Sequence, residues 1–174
     1  MDMNLPNKLT MLRVIMIPVF LVVLLSGLVP SPLNRYIAVV IFIAASFTDY
    51  LDGHIARKYN LVTNFGKFMD PLADKLLVAA AMISMVEMGD LAAWIVIVII
   101  SREFIITGFR LIAVENGVVI AASMWGKSKT VSQMIMIIVV LSGLGAGNIV
   151  GTILIYIAAI LTVISGDRKS TRLN

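Results

Sequence analysis

The chain has 174 residues, 60% of them hydrophobic and only 14% charged, whereas soluble domains carry about 45–50% apolar and about 25% charged residues. That composition belongs to a membrane protein, and the length admits one domain of about six spans at ~20 residues each, with no separate soluble domain. The absence of cysteine excludes disulfides and thiolate metal sites, and the net charge of +4 suits anionic lipid headgroups; nucleic acid is a poor partner, because the basic residues form no single aqueous patch.

In chain order, "MDMNLPNKLTMLR" (1–13) is expected to form a short interfacial segment leading into a first span over residues 14–34, which carry no charge. No cleavable signal is expected, since a dense basic cluster and a small-residue cleavage site are both lacking. Pro18 is placed to kink this span. "GLVPSPLNR" (27–35) reads as a turn. The second span starts near Tyr36 and reaches ~20 residues only by including Asp49 and Asp52. The third runs from near Asp70 to near Met88, and "EMGD" (87–90) makes a tight turn. The fourth runs from about Leu91 to Ala113, with Arg102 and Glu103 inside it. "VENGVVIAASMWGKSK" (114–129) reads as an amphipathic or irregular connection. From Thr130 to Gly166 there are 37 uncharged residues. One helix of that length would measure about 55 Å, too long for a ~30 Å hydrocarbon core, so "SGLGAGN" (142–148) is expected to break it into two spans.

The expected fold is therefore all-α: a polytopic membrane protein with six transmembrane helices and a short N-terminal interfacial segment. Residues 1–166 form a single domain, and "DRKSTRLN" (167–174) is a basic tail, natural or foreign. Six spans put both termini on one side. Of the 14 lysines and arginines, only Arg35 falls clearly on the other side, and Arg102 lies deeper in its span. By the positive-inside rule the termini face the cytoplasm of a cell membrane.

"TDYLDGHIARKYNLVTNFGKFMDPLADKL" (48–76) carries four aspartates between segments that otherwise read as spans. Asp49 and Asp52 stand three apart and Asp70 and Asp74 four apart, so each pair shares a helix face. The two spans are joined by a short loop, which favours antiparallel neighbours whose carboxylates meet in one cavity. A bland reading pairs them with Arg57, Lys58, Lys67 and Lys75, or leaves them in headgroup water. Against it, a charge at mid-helix costs ~3 kcal/mol, and four clustered carboxylates repel one another. All-oxygen ligands select hard divalent ions such as Mg²⁺ or Mn²⁺. Two such ions suit in-line displacement at phosphorus.

The pattern Asp49-x2-Asp52-Gly53-x2-Ala56-Arg57-x8-Gly66-x3-Asp70-x3-Asp74 resembles the signature of the class I CDP-alcohol phosphatidyltransferase family at every defined position. "NLPNKLTMLR", "SREFIITGFR" and "GKSKT" are similar to the bacterial branch of that family that makes phosphatidylglycerophosphate. The resemblance implies six transmembrane helices, a homodimer and two divalent metals in a cytoplasm-facing cavity. It implies Asp49 and Asp70 as ligands to both metals, Asp52 as ligand to one, and Asp74 as ligand to the other and general base. Gly53, Arg57 and Thr63 match positions that contact the cytidine nucleotide and its pyrophosphate, and Pro6, Asn7 and Thr10 lie in the segment that helps cover it. The implied reaction is attack of the glycerol 3-phosphate hydroxyl on the β-phosphorus of CDP-diacylglycerol, with CMP leaving.

A second charged group follows. Arg102 and Arg110 are about 80° apart round a helix, so both can face one cavity, and Glu103 can orient one of them. Lys127 and Lys129 stand at the entrance to the fifth span, where headgroup contact is the plainer role. Arg102 is too deep for headgroups. An acceptor with a phosphate dianion needs such cations, which favours glycerol 3-phosphate, or inositol phosphate, over an uncharged alcohol. Two other classes compete: a divalent-cation transporter and a structural membrane subunit. A transporter should place its charges near the midplane, whereas this acidic cluster lies near one face. A structural subunit would not require Arg57 and the four-aspartate spacing.

Overall fold

The computed structural model describes residues 5–58, 64–115, 124–145 and 148–167. They form six helices: α1 (Leu5–Leu25), α2 (Leu33–Lys58), α3 (Asn64–Glu87), α4 (Ala93–Glu115), α5 (Met124–Leu141) and α6 (Ile149–Asp167). The described residues contain no strand. The chain divides into two compact units, residues 1–84 with 141–143, and residues 85–140 with 144–174.

In the first unit α1 packs on α2. Its buried positions are Asn7, Thr10, Arg13, Ile17, Phe20 and Leu24, a spacing of three and four that draws one stripe along a helix. The stripe is polar toward its N-terminal end and apolar toward its C-terminal end. Leu12, Ile15, Val19 and Val22 are exposed. On α2 the buried stripe is Ala38, Phe42 and Ala45, and the next position at that spacing is Asp49. The alanines let a neighbouring backbone come close. On α3 the buried run Ala73, Leu77 and Ala81 continues from Asp70 and Asp74. Each helix thus has an apolar stripe that gives way to polar groups near one end.

Turns close where the sequence places them. Asn34 Nδ2 donates to the carbonyl of Leu24 (3.1 Å), so a residue at the start of α2 satisfies a carbonyl at the end of α1. At the end of α3, Gly89 takes φ +76°, and the amide of Asp90 donates to the carbonyl of Met85 (2.9 Å). That positive φ suits glycine and ends the helix sharply. In the second unit Asn148 caps α6, its Oδ1 accepting from the amide of Val150 (3.0 Å). A Cβ on Gly151 would lie 2.0 Å from the carbonyl oxygen of Leu144, so the α5–α6 turn requires glycine there. α4 packs against α6, and the buried positions Ile155, Ala158 and Thr162 of α6 again follow helical spacing.

Three expectations are modified. Among the described residues no break separates the expected interfacial segment from the first span, because α1 runs unbroken from Leu5 through Pro18 to Leu25. α3 begins at Asn64 rather than near Asp70. Both flanks of the 114–129 connection are helical, since α4 reaches Glu115 and α5 starts at Met124. Among the described residues one helix, over Asn7–Leu25, is long and apolar enough to cross a membrane. The apolar runs Ser128–Leu141 and Ile149–Ile164 are shorter, and α2, α3 and α4 have charged residues within their length. Beyond Asp167 the tail lies outside the described residues.

Candidate active site

The polar half of the α1 stripe organises the site. Thr10 and Arg13 are three residues apart, so their side chains are neighbours on one face, with Cβ atoms about 5–6 Å apart. Both residues are fully buried. Thr10 Oγ1 donates a hydrogen bond to Asp70 Oδ1 on α3 (2.6 Å). Arg13 Nη1 lies 2.8 Å from Asp49 Oδ1 on α2. Its Nε donates to the carbonyl of Ala45, one turn before Asp49 (3.2 Å). Two aspartates from two helices are thereby brought to adjacent positions on a third.

A buried guanidinium needs a close counter-charge to offset its desolvation. Here α2 supplies both an anion and a backbone acceptor. The Asp49 side chain keeps 36% of its surface exposed, so the pair does not seal it. Asp70 and Asp74 are both partly buried on α3, four residues apart.

Asp52, Gly53 and Arg57 stand on α2, Pro6 on α1, Arg110 on α4 and Lys127 on α5; their side chains are outside the described set. Thr63 lies outside the described residues altogether. Among the described residues no three carboxylate or imidazole groups form a metal cluster. Asp52, the fourth expected ligand, is absent from that set. The described donors do suit a hard divalent ion, because they are carboxylate oxygens, one of them on a partly exposed side chain.

Asn7 is buried beside Thr10 on the same stripe. In the second unit, Glu103 on α4 accepts from Arg102 Nη1 (3.2 Å) and is ion-paired with Lys129 Nζ on α5. Lys129 is 4% exposed, and Gln133, one turn further, is buried too. The sequence anticipates Glu103 orienting one cation; it contacts two.

Arg13 is the site residue that sequence reasoning misses. It enters there as one of the basic residues that set topology and as the last residue of "NLPNKLTMLR", with no role of its own. The signal available was the 7-10-13-17-20-24 stripe, which places Arg13 on the same face as Thr10 and Ile17 and away from the apolar outer face.

Residues 3–164 match the CDP-alcohol phosphatidyltransferase family. The chain is 45% identical to the CDP-diacylglycerol–glycerol-3-phosphate 3-phosphatidyltransferase of Bacillus subtilis, over 94% of this chain and 91% of the relative. It is 42% identical to the protein of the same name from Rickettsia bellii, over 95% and 92%, and 43% identical to that of Haemophilus influenzae, over 94% and 89%. With a match this extensive, and with the family's aspartate pattern intact from Asp49 to Asp74, the chain belongs to the CDP-alcohol phosphatidyltransferase family.

Proposed function

We propose that this protein transfers the phosphatidyl group of CDP-diacylglycerol to glycerol 3-phosphate, giving phosphatidylglycerophosphate and CMP. The observation that carries this reading is the 45% identity, over nearly the whole of both chains, to a relative named for that reaction. The juxtaposition of Asp49 and Asp70 on the Thr10–Arg13 face supports it.

The reaction forms one bond from the acceptor hydroxyl oxygen to the β-phosphorus and breaks the bond from that phosphorus to the bridging oxygen. CMP leaves with the bonding pair. Asp74 accepts the hydroxyl proton, as a positioned carboxylate can. Arg57 forks onto pyrophosphate oxygens, and Gly53 allows the cytosine ring close to the helix; Thr63, Pro6, Asn7 and Thr10 belong to the nucleotide end. Asp49, Asp52, Asp70 and Asp74 would hold two divalent cations, Mg²⁺ or Mn²⁺, which would supply positive charge at the pyrophosphate when bound. Arg102, Arg110, Lys127 and Lys129 bind the acceptor phosphate.

The protein works as a homodimer in the cell membrane, with six spans and with its active site and termini on the cytoplasmic side. The exposed apolar residues along α1 and α6, such as Ile15, Val22, Ile153 and Ile160, suit contact with lipid chains. Purified protein incubated with CDP-diacylglycerol, Mg²⁺ and each acceptor in turn tests the reading. CMP release is expected with glycerol 3-phosphate. Release only with inositol phosphate would move the protein to another branch, and no release with any acceptor would overturn the reaction.

A further inference from the structure

Arg13 has no part in the roles given above, yet it is the most completely buried charged side chain described, with none of its surface exposed. Its guanidinium meets α2 at two points one helical turn apart. Nε reaches the backbone carbonyl of Ala45 (3.2 Å), and Nη1 reaches Asp49 Oδ1 (2.8 Å). The carbonyl contact is independent of whatever Asp49 binds, so it fixes the guanidinium whether or not the site is loaded. The Nη1 contact is an ion pair at 2.8 Å without hydrogen-bond alignment, so what it fixes is the place of a positive charge directly behind Asp49 Oδ1. The Asp49 side chain stays 36% exposed, so the carboxylate is oriented without being covered. Groups in this position, behind a ligating carboxylate, commonly change metal affinity or activity by about 10–100-fold when removed.

Resting on the proposed reaction, we propose that Arg13 is a positioning residue, which aims the Asp49 carboxylate at a divalent cation through its two-point grip on α2. A packing role predicts something different. If Arg13 only joined α1 to α2, its loss would lower thermal stability and affect every ligand alike. If it acted only as a positive charge, lysine would replace it.

Arg13→Lys separates these cases. Lysine keeps the charge but has one nitrogen, which cannot bond the Ala45 carbonyl and Asp49 Oδ1 in the same geometry. Arg13→Met, which keeps a long side chain and removes the charge, is the companion variant. The measurements on full-length protein in detergent are Mn²⁺ binding by electron paramagnetic resonance with the metal alone, kcat, KM for glycerol 3-phosphate, and melting temperature. For Arg13→Lys, Mn²⁺ affinity is expected to fall about 10–100-fold, with kcat falling in parallel and KM for glycerol 3-phosphate within about twofold of wild type. Arg13→Met should lose at least as much Mn²⁺ affinity; if it does not fold, Arg13→Lys decides alone. Wild-type Mn²⁺ affinity in Arg13→Lys overturns the positioning role, and so does a rise in KM for glycerol 3-phosphate matching the fall in kcat. Loss of Mn²⁺ affinity on Arg13→Lys in a protein whose wild type releases no CMP would leave the positioning role standing and sink the reaction instead. CMP release by wild type with no Mn²⁺ bound by it would sink the positioning role and spare the reaction.

Discussion

Thr10 Oγ1 lies 2.6 Å from Asp70 Oδ1 and donates to it, joining the start of α1 to the start of the second aspartate pair. Thr10 is fully buried, so this carboxylate oxygen is held by a hydroxyl that water cannot replace without opening the helix contact. Thr10→Val keeps the shape and removes the donor. A hydrogen bond to a charged group contributes about 1.5–3 kcal/mol, and loss of such an orienting contact typically lowers activity by roughly 10–100-fold. The expected result is a folded protein with reduced kcat and a lower melting temperature. Activity and melting temperature both equal to wild type would show that the contact does not matter.

Asp74→Asn is expected to lower kcat by ~10²–10⁴-fold, the usual cost of removing a general base, with the fold retained. Asp74 is partly buried on α3 in helical register with Asp70, so an isosteric amide can occupy the same place. The check is single-turnover CMP release alongside a melting curve. Near-normal turnover by the purified variant would remove Asp74 from proton transfer.

Chelation is expected to abolish activity, and Mg²⁺ or Mn²⁺ to restore it, with Ca²⁺ a poor substitute. The expected ligands are carboxylates, and Ca²⁺ prefers a larger and looser shell. CMP release is followed after exhaustive treatment with a chelator and again after each ion is added back. Full activity in the chelated protein would exclude a metal requirement.

Much of the helical plan was legible because its signals are local. Charge-free runs, the "EMGD" turn and the "SGLGAGN" break need only neighbouring residues, and the helix ends at Glu87 and Leu141 follow them. The aspartate pairs were legible because their spacing is short. Arg13 was not, because its partners Ala45 and Asp49 lie on another helix, and a cation flanking an apolar run counts first toward topology. The unbroken start of α1 was hidden similarly. Pro6 is the second residue of α1, and proline in a first turn removes only an amide that has no intrahelical partner. The helical "WGKSK" segment reads in the sequence as part of an amphipathic or irregular connection. The buried ammonium of Lys129 finds its carboxylate in Glu103 on α4, which no local pattern reveals.

The Glu103 carboxylate also bears on how the acceptor is held. Glu103 holds Arg102 Nη1 at 3.2 Å and pairs with Lys129 as well, and the two cations differ in burial: the Arg102 side chain is 19% exposed and that of Lys129 5%. Removing the acid should cost the more deeply buried Lys129 more than Arg102. Breaking one side of a buried pair costs about 3–5 kcal/mol, so Glu103→Ala should lower the melting temperature markedly, whereas Arg102→Ala leaves Glu103 paired with Lys129 and should change it little. Kinetics then separate binding from support. If Arg102 holds the acceptor phosphate, Arg102→Ala raises KM for glycerol 3-phosphate roughly 10–150-fold, the equivalent of a charge-assisted hydrogen bond of about 1.5–3 kcal/mol. The KM for CDP-diacylglycerol should move much less. Arg110→Ala should follow Arg102→Ala, and Arg57→Ala should show the opposite split, acting on the nucleotide lipid. Both KM values and the melting temperature are measured for all four variants. Equal changes in the two KM values for Arg102→Ala, accompanied by a large fall in melting temperature, would make Arg102 a support for Glu103 and take it out of the acceptor site.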